Sequence, residues 1–389
     1  MKLESIIFKN KKFIIFLFVF TGALSVLKGI NLPNSWALTH YAFTYETGFF
    51  KRAFTGTFFS MILGDFYFQY NTLIVIIYLV YLACLFFIIR SVGREFSKNV
   101  LFAVPALLFL ASPGFVFFNH IVGYFDQIGF LITIVLITLR KSRKIGYNLL
   151  FFLSVLSCIL LVFIHEAQII LYAPLIFFTL VTMKYRMNDK VKPVKIFTEL
   201  LKFSLPVLIV LITVLIFGET SQTQLQALTA FLDSKTDFNY SEMALGIYKR
   251  SIETNLKDMI TLWSDPYFIY SEIVSFLVIF PGIFALFYYL HKSVLKQSDL
   301  LFKILAFISA LSPLVLYSMG LDIQRWNNIA FINTFLICIL LNDSGALFRF
   351  DNKKSYYIFI TAFILHLVSD NFFFKNGDMH LFPFREHLE

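Results

Sequence analysis

The chain alternates long apolar runs with short polar joints, and the runs set its elements. Stretches at 13–31, 72–90, 99–117, 126–139, 147–164, 168–183, 199–217, 270–290, 302–318, 328–341 and 356–369 are predominantly apolar. A membrane-crossing helix needs roughly 20 such residues, and fewer when packed among other helices. The pattern predicts an all-α fold, a polytopic transmembrane helix bundle of about eleven spans forming one integral membrane unit over 1–389. Two joints are long. Segment 32–71 carries the aromatic, amphipathic piece FFKRAFTGTFFSMIL, expected to lie in the interface or re-enter it. Segment 218–269 carries two polar helical stretches, TQLQALTAFLDSK and SEMALGIYKRSIETNLKDMITLW. The closing pair at 388–389 reads as a tag remnant.

Composition sharpens this picture. Of 389 residues, 58% are apolar and 15% charged, against about 25% charged in a soluble domain. The net charge of +9 is scattered among short joints and forms no basic patch, so nucleic acid is not an expected partner. Cys84, Cys158 and Cys338 sit inside apolar runs, as small hydrophobes and not as a disulfide or metal set. The first run follows Lys9, Lys11 and Lys12 with no small-residue cleavage site after it, and reads as an uncleaved span.

Cations fix an expected orientation. One alternating set of joints holds Arg90/Arg94/Lys98, Arg140/Lys141/Arg143/Lys144, Lys184/Arg186/Lys190/Lys192/Lys195, Lys292/Lys296 and Arg349/Lys353/Lys354. The positive-inside rule then puts the amino terminus in the cytoplasm and the carboxyl terminus outside.

The other set of joints gathers the unusual polar groups. Glu46, Lys51 and Arg52 lie in YETGFFKRAFTG, His120 and Asp126 in NHIVGYFDQ, and His165 and Glu166 in VFIHEAQII. Asp322, Arg325 and Trp326 lie in GLDIQRWNN, Arg250 in the second long joint, and Asp370 and His380 near the carboxyl end. Ionisable groups beside hydrocarbon are costly and mark function. Each has an ordinary alternative: Arg325 can pair with Asp322, Asp126 can cap a helix, Glu46 and Arg52 can form an interfacial ion pair. His165 and Glu166 would diverge if both sat on a helix. Trp36, Tyr45, Trp263 and Trp326 fit an aromatic belt as well as sugar stacking. Their convergence from separate parts of the chain predicts one pocket on the outer face.

Such a rim suits an amphiphile with its tail in lipid and an anionic head at the interface. Arginine forks onto phosphate and stabilises charge on a departing diphosphate, while a carboxylate or histidine can take a proton from an acceptor hydroxyl. In its plan the chain resembles the O-antigen and capsule repeat-unit polymerases of bacterial surface-polysaccharide clusters, multi-pass enzymes similar to O-antigen ligases. The resemblance lies in the many spans, the Phe/Ile/Leu-rich composition, the short basic joints and the two long outer segments. It extends to arginines placed at Arg52 in FFKRAFTG, Arg250 in IYKRSIE and Arg325 in DIQRWNN. The spaced Arg-to-Gly pattern of some members does not follow Arg250, which moves the emphasis to Arg52 and Arg325.

What the resemblance implies is a GT-C-like bundle and an inverting glycosyl transfer from a polyprenyl diphosphate-linked oligosaccharide, without a nucleotide sugar. Arg325 and Arg52, with Lys51 and Arg250, would hold the diphosphate. Glu46, Asp126 or Glu166 would be the base, and His165 would bind sugar or assist proton transfer. Asp322 would orient Arg325, and Trp326 would anchor the helix end or touch sugar. No DxD pair or His/Cys cluster occupies an outer joint, so neither a metal nor another cofactor is expected. Membrane lipid and a chain-length regulator protein are the other expected partners. The alternatives are a transferase moving one sugar from polyprenyl phosphate, a transporter, whose polar groups would sit nearer the midplane, and an acyltransferase built on His165.

Overall fold

The computed structural model describes residues 10–142, 144–185, 192–246, 248, 252–293, 295–318, 322–342 and 353–369. Arg250, Asp370, His380 and 388–389 lie outside the described residues, as do the joint cations Lys9, Arg143, Arg186, Lys190 and Arg349. Among the described residues the chain is helical, with no strand.

In order, the helices are α1 (Lys11–Gly29), α2 (Ser35–Ala42), α3 (Phe54–Leu63), α4 (Tyr70–Lys98), α5 (Ala103–Ala111), α6 (Pro113–His120), α7 (Asp126–Ser142), α8 (Tyr147–Ile164) and α9 (Gln168–Lys184). They continue as α10 (Pro193–Phe217), α11 (Gln222–Lys235), α12 (Glu242–Gly246), α13 (Ile252–Leu262), α14 (Pro266–Ser293), α15 (Leu300–Leu311), α16 (Ile323–Leu341) and α17 (Lys353–Val368). Every apolar stretch of the sequence folds as helix. Among the described residues, six helices are long and apolar enough to cross a membrane: α1, α4, α8, α10, α14 and Leu300–Ser318, which adds a 3₁₀ segment to α15. The pair α5–α6 makes a seventh if counted as one span. The fold is therefore that of a helical membrane protein.

One stretch read as continuous is broken. The run at 99–117 bends by 52° between α5 and α6. Ser112 caps α6 by accepting the Phe115 N–H at 3.1 Å, and Pro113 at the first helical position cannot continue the preceding ladder. In the second polar stretch of 218–269 the described residues include the helices α12 and α13. α3 keeps Thr55 and Gly56 inside and exposes Phe58, Met61 and Ile62, an apolar face suited to an interface.

The bundle is organised around α16, every residue of which is buried. It is packed by α5, α6, α9, α14, α15 and the segment Ser312–Ser318. A helix hidden on all sides must satisfy its polar groups internally. Asn333 does so by donating to the Leu171 carbonyl at 2.7 Å, and Asn327 by donating to Ser275 Oγ at 3.2 Å. Cys84, Cys158 and Cys338 are buried and free.

Near its carboxyl end α16 meets an ionic tie. Glu95 of α4 and Lys141 of α7 pair at 2.8 Å with both side chains fully buried. Asn342 donates to the same carboxylate at 3.1 Å, Arg94 contacts its other oxygen at 2.9 Å, and Lys141 also donates to the Ile339 carbonyl. Removing one partner of such a pair leaves a buried charge uncompensated, at a cost of about 3–5 kcal/mol. Glu95→Ala should therefore lower the thermal midpoint sharply in detergent, and the double variant Glu95→Ala/Lys141→Met should recover much of the loss. Equal midpoints for the single variant and wild type would refute the tie.

Candidate functional site

At the other end of the same helices lies a second buried ionic group. Arg325, in the first turn of α16, forks onto Asp126 at the start of α7. Its Nε donates to Oδ2 at 2.8 Å and Nη2 to Oδ1 at 3.0 Å. Its Nη1 donates to Asp322 Oδ2 at 3.0 Å. The guanidinium carbon lies 4.9 Å from the Trp326 ring centroid and 5.8 Å from that of Tyr124, so aromatic faces flank the cation. Gln168 of α9 donates to Asp126 Oδ1 at 3.1 Å. Gly129 permits this approach, since a Cβ there would fall 2.1 Å from Gln168 Oε1. Gly123, at φ +93°, forms the left-handed turn that delivers the chain into α7.

A second fork stands beside the first. Arg52 Nε and Nη2 donate to Glu166 Oε2 and Oε1 at 3.2 and 2.5 Å. Arg52 has φ +67°, a left-handed conformation that costs a non-glycine residue about 1–2 kcal/mol. Tyr248 steadies this turn by donating its hydroxyl to the Lys51 carbonyl at 2.8 Å. Strain of this kind persists where surrounding contacts overdetermine it, commonly at binding sites. Glu166 sits in the non-helical corner between α8 and α9, next to His165. Because the corner is not helical, His165 and Glu166 do not diverge. His165 Nδ1 lies 3.5 Å from Glu166 Oε2 and accepts the Ala167 N–H at 3.2 Å.

Burial alone would raise the Glu166 pKa, but the charge and hydrogen bonds of Arg52 override it and hold the carboxyl well below the usual range. Burial, reinforced by Arg52, keeps His165 neutral by lowering its pKa.

Both forks open on one cavity of about 660 Å³. Its polar wall is made by Arg52, His165, Glu166, Asp322, Arg325 and His40 of α2. Leu211 and Leu215 of α10, Ile169 of α9 and Leu316 form its apolar wall. Leu208, Ile212 and Ile216 of α10 and Val315 beside Leu316 are exposed, so the apolar wall runs out onto lipid-facing surface.

The structure thus brings together Arg52, His165, Glu166, Asp322, Arg325 and Trp326 on the cavity, with Asp126 directly behind Arg325. It does not bring Glu46, Lys51, His120, Tyr45 or Trp263 to that lining. Glu46 lies on the turn Tyr45–Thr47, which packs on α11, so Arg52 takes Glu166 instead. Sequence reasoning missed His40, Tyr124 and Gln168. His40 stands four residues after Trp36 on one face of α2, a spacing that offers a signal. It also missed Glu272 of α14, which is buried and accepts from Gln324 of α16. Among the described residues no group of three or more His, Cys, Asp or Glu side chains is placed to hold a metal ion.

No family model matches the chain, and neither a curated protein nor a solved structure matches it.

The lowered Glu166 pKa fixes a pH dependence. Its ion pair contributes stability in full above the ordinary glutamate range, and this is lost as pH falls through the lowered folded value. The thermal midpoint of wild type should exceed that of Glu166→Gln at pH 7, and the gap should narrow as pH drops below about 4. A gap that widens on acidification would contradict the pairing.

Proposed function

We propose that the chain is a glycosyltransferase that polymerises lipid-linked oligosaccharide repeat units of a bacterial surface polysaccharide at the outer face of the inner membrane. One observation carries this reading: two guanidinium groups, held from far apart in the chain, share a cavity that is also lined by Leu211, Leu215 and Leu316, whose neighbours in the chain are exposed apolar residues. An amphiphile with an anionic head and an apolar tail fits that division. Orientation follows from charge. α7 and α9 begin at the cavity and end in Arg140, Lys141 and Lys184, so the positive-inside rule turns the cavity outward. About eleven spans, with the short helices α7, α9 and α16 crossing inside the bundle and α17 at its edge, complete this topology.

Charge balance suggests how the arginines would act. Arg52 and Arg325 give +2, and Glu166, Asp126 and Asp322 give −3, for a sum of −1. The site is not a net attractor for a diphosphate. Asp126 and Asp322 take three of the five N–H groups of Arg325, and Glu166 takes two of those of Arg52. The remaining N–H groups belong to two side chains of the cavity lining that their carboxylate partners hold in place. Donors of that kind favour the state in which negative charge grows on a leaving oxygen over the bound ground state.

In the reaction, the acceptor hydroxyl oxygen bonds to the anomeric carbon as the bond from that carbon to the diphosphate oxygen breaks. The electron pair leaves with the lipid diphosphate, and configuration inverts. Asp126 and Glu166 each give both oxygens to a guanidinium, whereas Asp322 gives Arg325 only Oδ2. Asp322 Oδ1 is therefore the oxygen we assign to receive the hydroxyl proton.

The test is conversion of a polyprenyl diphosphate-linked repeat unit by the purified protein in nanodiscs. A ladder of repeat lengths is expected; no ladder, with one sugar added only when a polyprenyl phosphate-linked sugar is also supplied, would indicate the one-sugar transferase instead. Arg52→Lys and Arg325→Lys keep the charge but lose the fork, and each should lower turnover about 100-fold. Undiminished turnover in both would overturn the reading.

A further inference from the structure

Two residues of the cavity lining, His40 and Trp326, each carry a buried polar atom without a partner among the described residues. His40 is 4% exposed, and its Nδ1 lies 2.9 Å from the Trp36 carbonyl oxygen. A carbonyl can only accept, so Nδ1 carries the proton and Nε2 presents a lone pair. That Nε2 has no donor. Trp326 is likewise 4% exposed, and its Nε1–H has no acceptor. Native proteins seldom leave such groups unmade, because each forfeits the hydrogen bond that water gave it when unfolded.

The two groups are of opposite kind, which narrows what can satisfy both. A phosphate ionised on all its oxygens accepts but has nothing to donate to His40 Nε2. An ammonium donates but cannot accept from Trp326. A hydrocarbon does neither. A polyol does both, since each hydroxyl is donor and acceptor. Aromatic surface suited to a sugar face is also present, with the Trp36 ring centroid 5.0 Å from that of His40 and both residues lining the cavity.

We propose that His40 and Trp326 form a hydroxyl-binding subsite for the neutral sugar portion of the ligand. His40 Nε2 accepts from one hydroxyl, and Trp326 Nε1–H donates to another. The proposal rests on the lipid-linked sugar reading and divides that cavity: anionic head at the two guanidinium groups, sugar at the histidine and indole. Both are positioning residues, set apart from the proton transfer assigned to Asp322.

The experiment is calorimetric titration of the full-length protein in nanodiscs with farnesyl diphosphate and with farnesyl diphosphoglucose. Wild type should bind the sugar-bearing probe more tightly. His40→Ala and Trp326→Phe should each weaken that probe about fivefold, one neutral hydrogen bond, and leave farnesyl diphosphate within about twofold. His40→Gln, which restores an acceptor, should recover most of the loss. Variants that bind both probes like wild type, or weaken both equally, overturn the subsite while leaving the lipid-diphosphate reading intact. Wild type that binds neither probe refutes that reading and the subsite with it. If His40→Ala is not monodisperse, Trp326→Phe, which keeps the ring against Arg325, decides.

Discussion

The buried fork between Arg325 and Asp126 is the interaction on which the rest of the site depends. It joins the start of α16 to the start of α7, and through Gln168 it draws in α9. Coulomb attraction in such a place repays desolvation only when geometry is good and remaining donors find partners. Here Asp322 and the flanking aromatic rings supply that completion. At the far end of the same helices, Glu95 and Lys141 form the matching tie. Fifteen residues of α7 separate the two, about 23 Å of helix. α16 is thus pinned at both ends and buried between them, a rigid post on which a cavity can be held open.

The second fork has a different character. Arg52 reaches Glu166 from a strained turn, and Glu166 hangs from a corner and not from a helix. Both groups are more exposed than the first pair, with Arg52 at 12% and Glu166 at 23% of the side chain. The apolar side of the cavity is borne by α10 and the segment around Leu316.

The helices were legible because apolar runs in membrane proteins are long and the polar joints between them short. The breaks were less so: the bend at Ser112–Pro113 is written in a cap and a proline inside an otherwise unbroken run. Ionic partners were the least legible part. Local spacing favoured Glu46 for Arg52, whereas the partner is Glu166, 114 positions away. Asp322 was foreseen for Arg325, but the two-oxygen contact comes from Asp126, 199 positions away. Such choices follow from which helix ends pack together, and composition carries no record of that. His40 escaped notice for a related reason: in SWALTHYA it looks like one polar residue in a short apolar helix. Its importance comes only from the cavity beside it.

The most direct measurement is an electron cryomicroscopy map of the protein in nanodiscs with a short-chain polyprenyl diphosphate sugar bound. The expected density has its diphosphate between Arg52 and Arg325, its sugar against His40 and Trp326, and its chain leaving past Leu211 and Leu316. Ligand density elsewhere, with both guanidinium groups still closed on their carboxylates and the cavity unoccupied, would contradict the shared pocket as the place of chemistry.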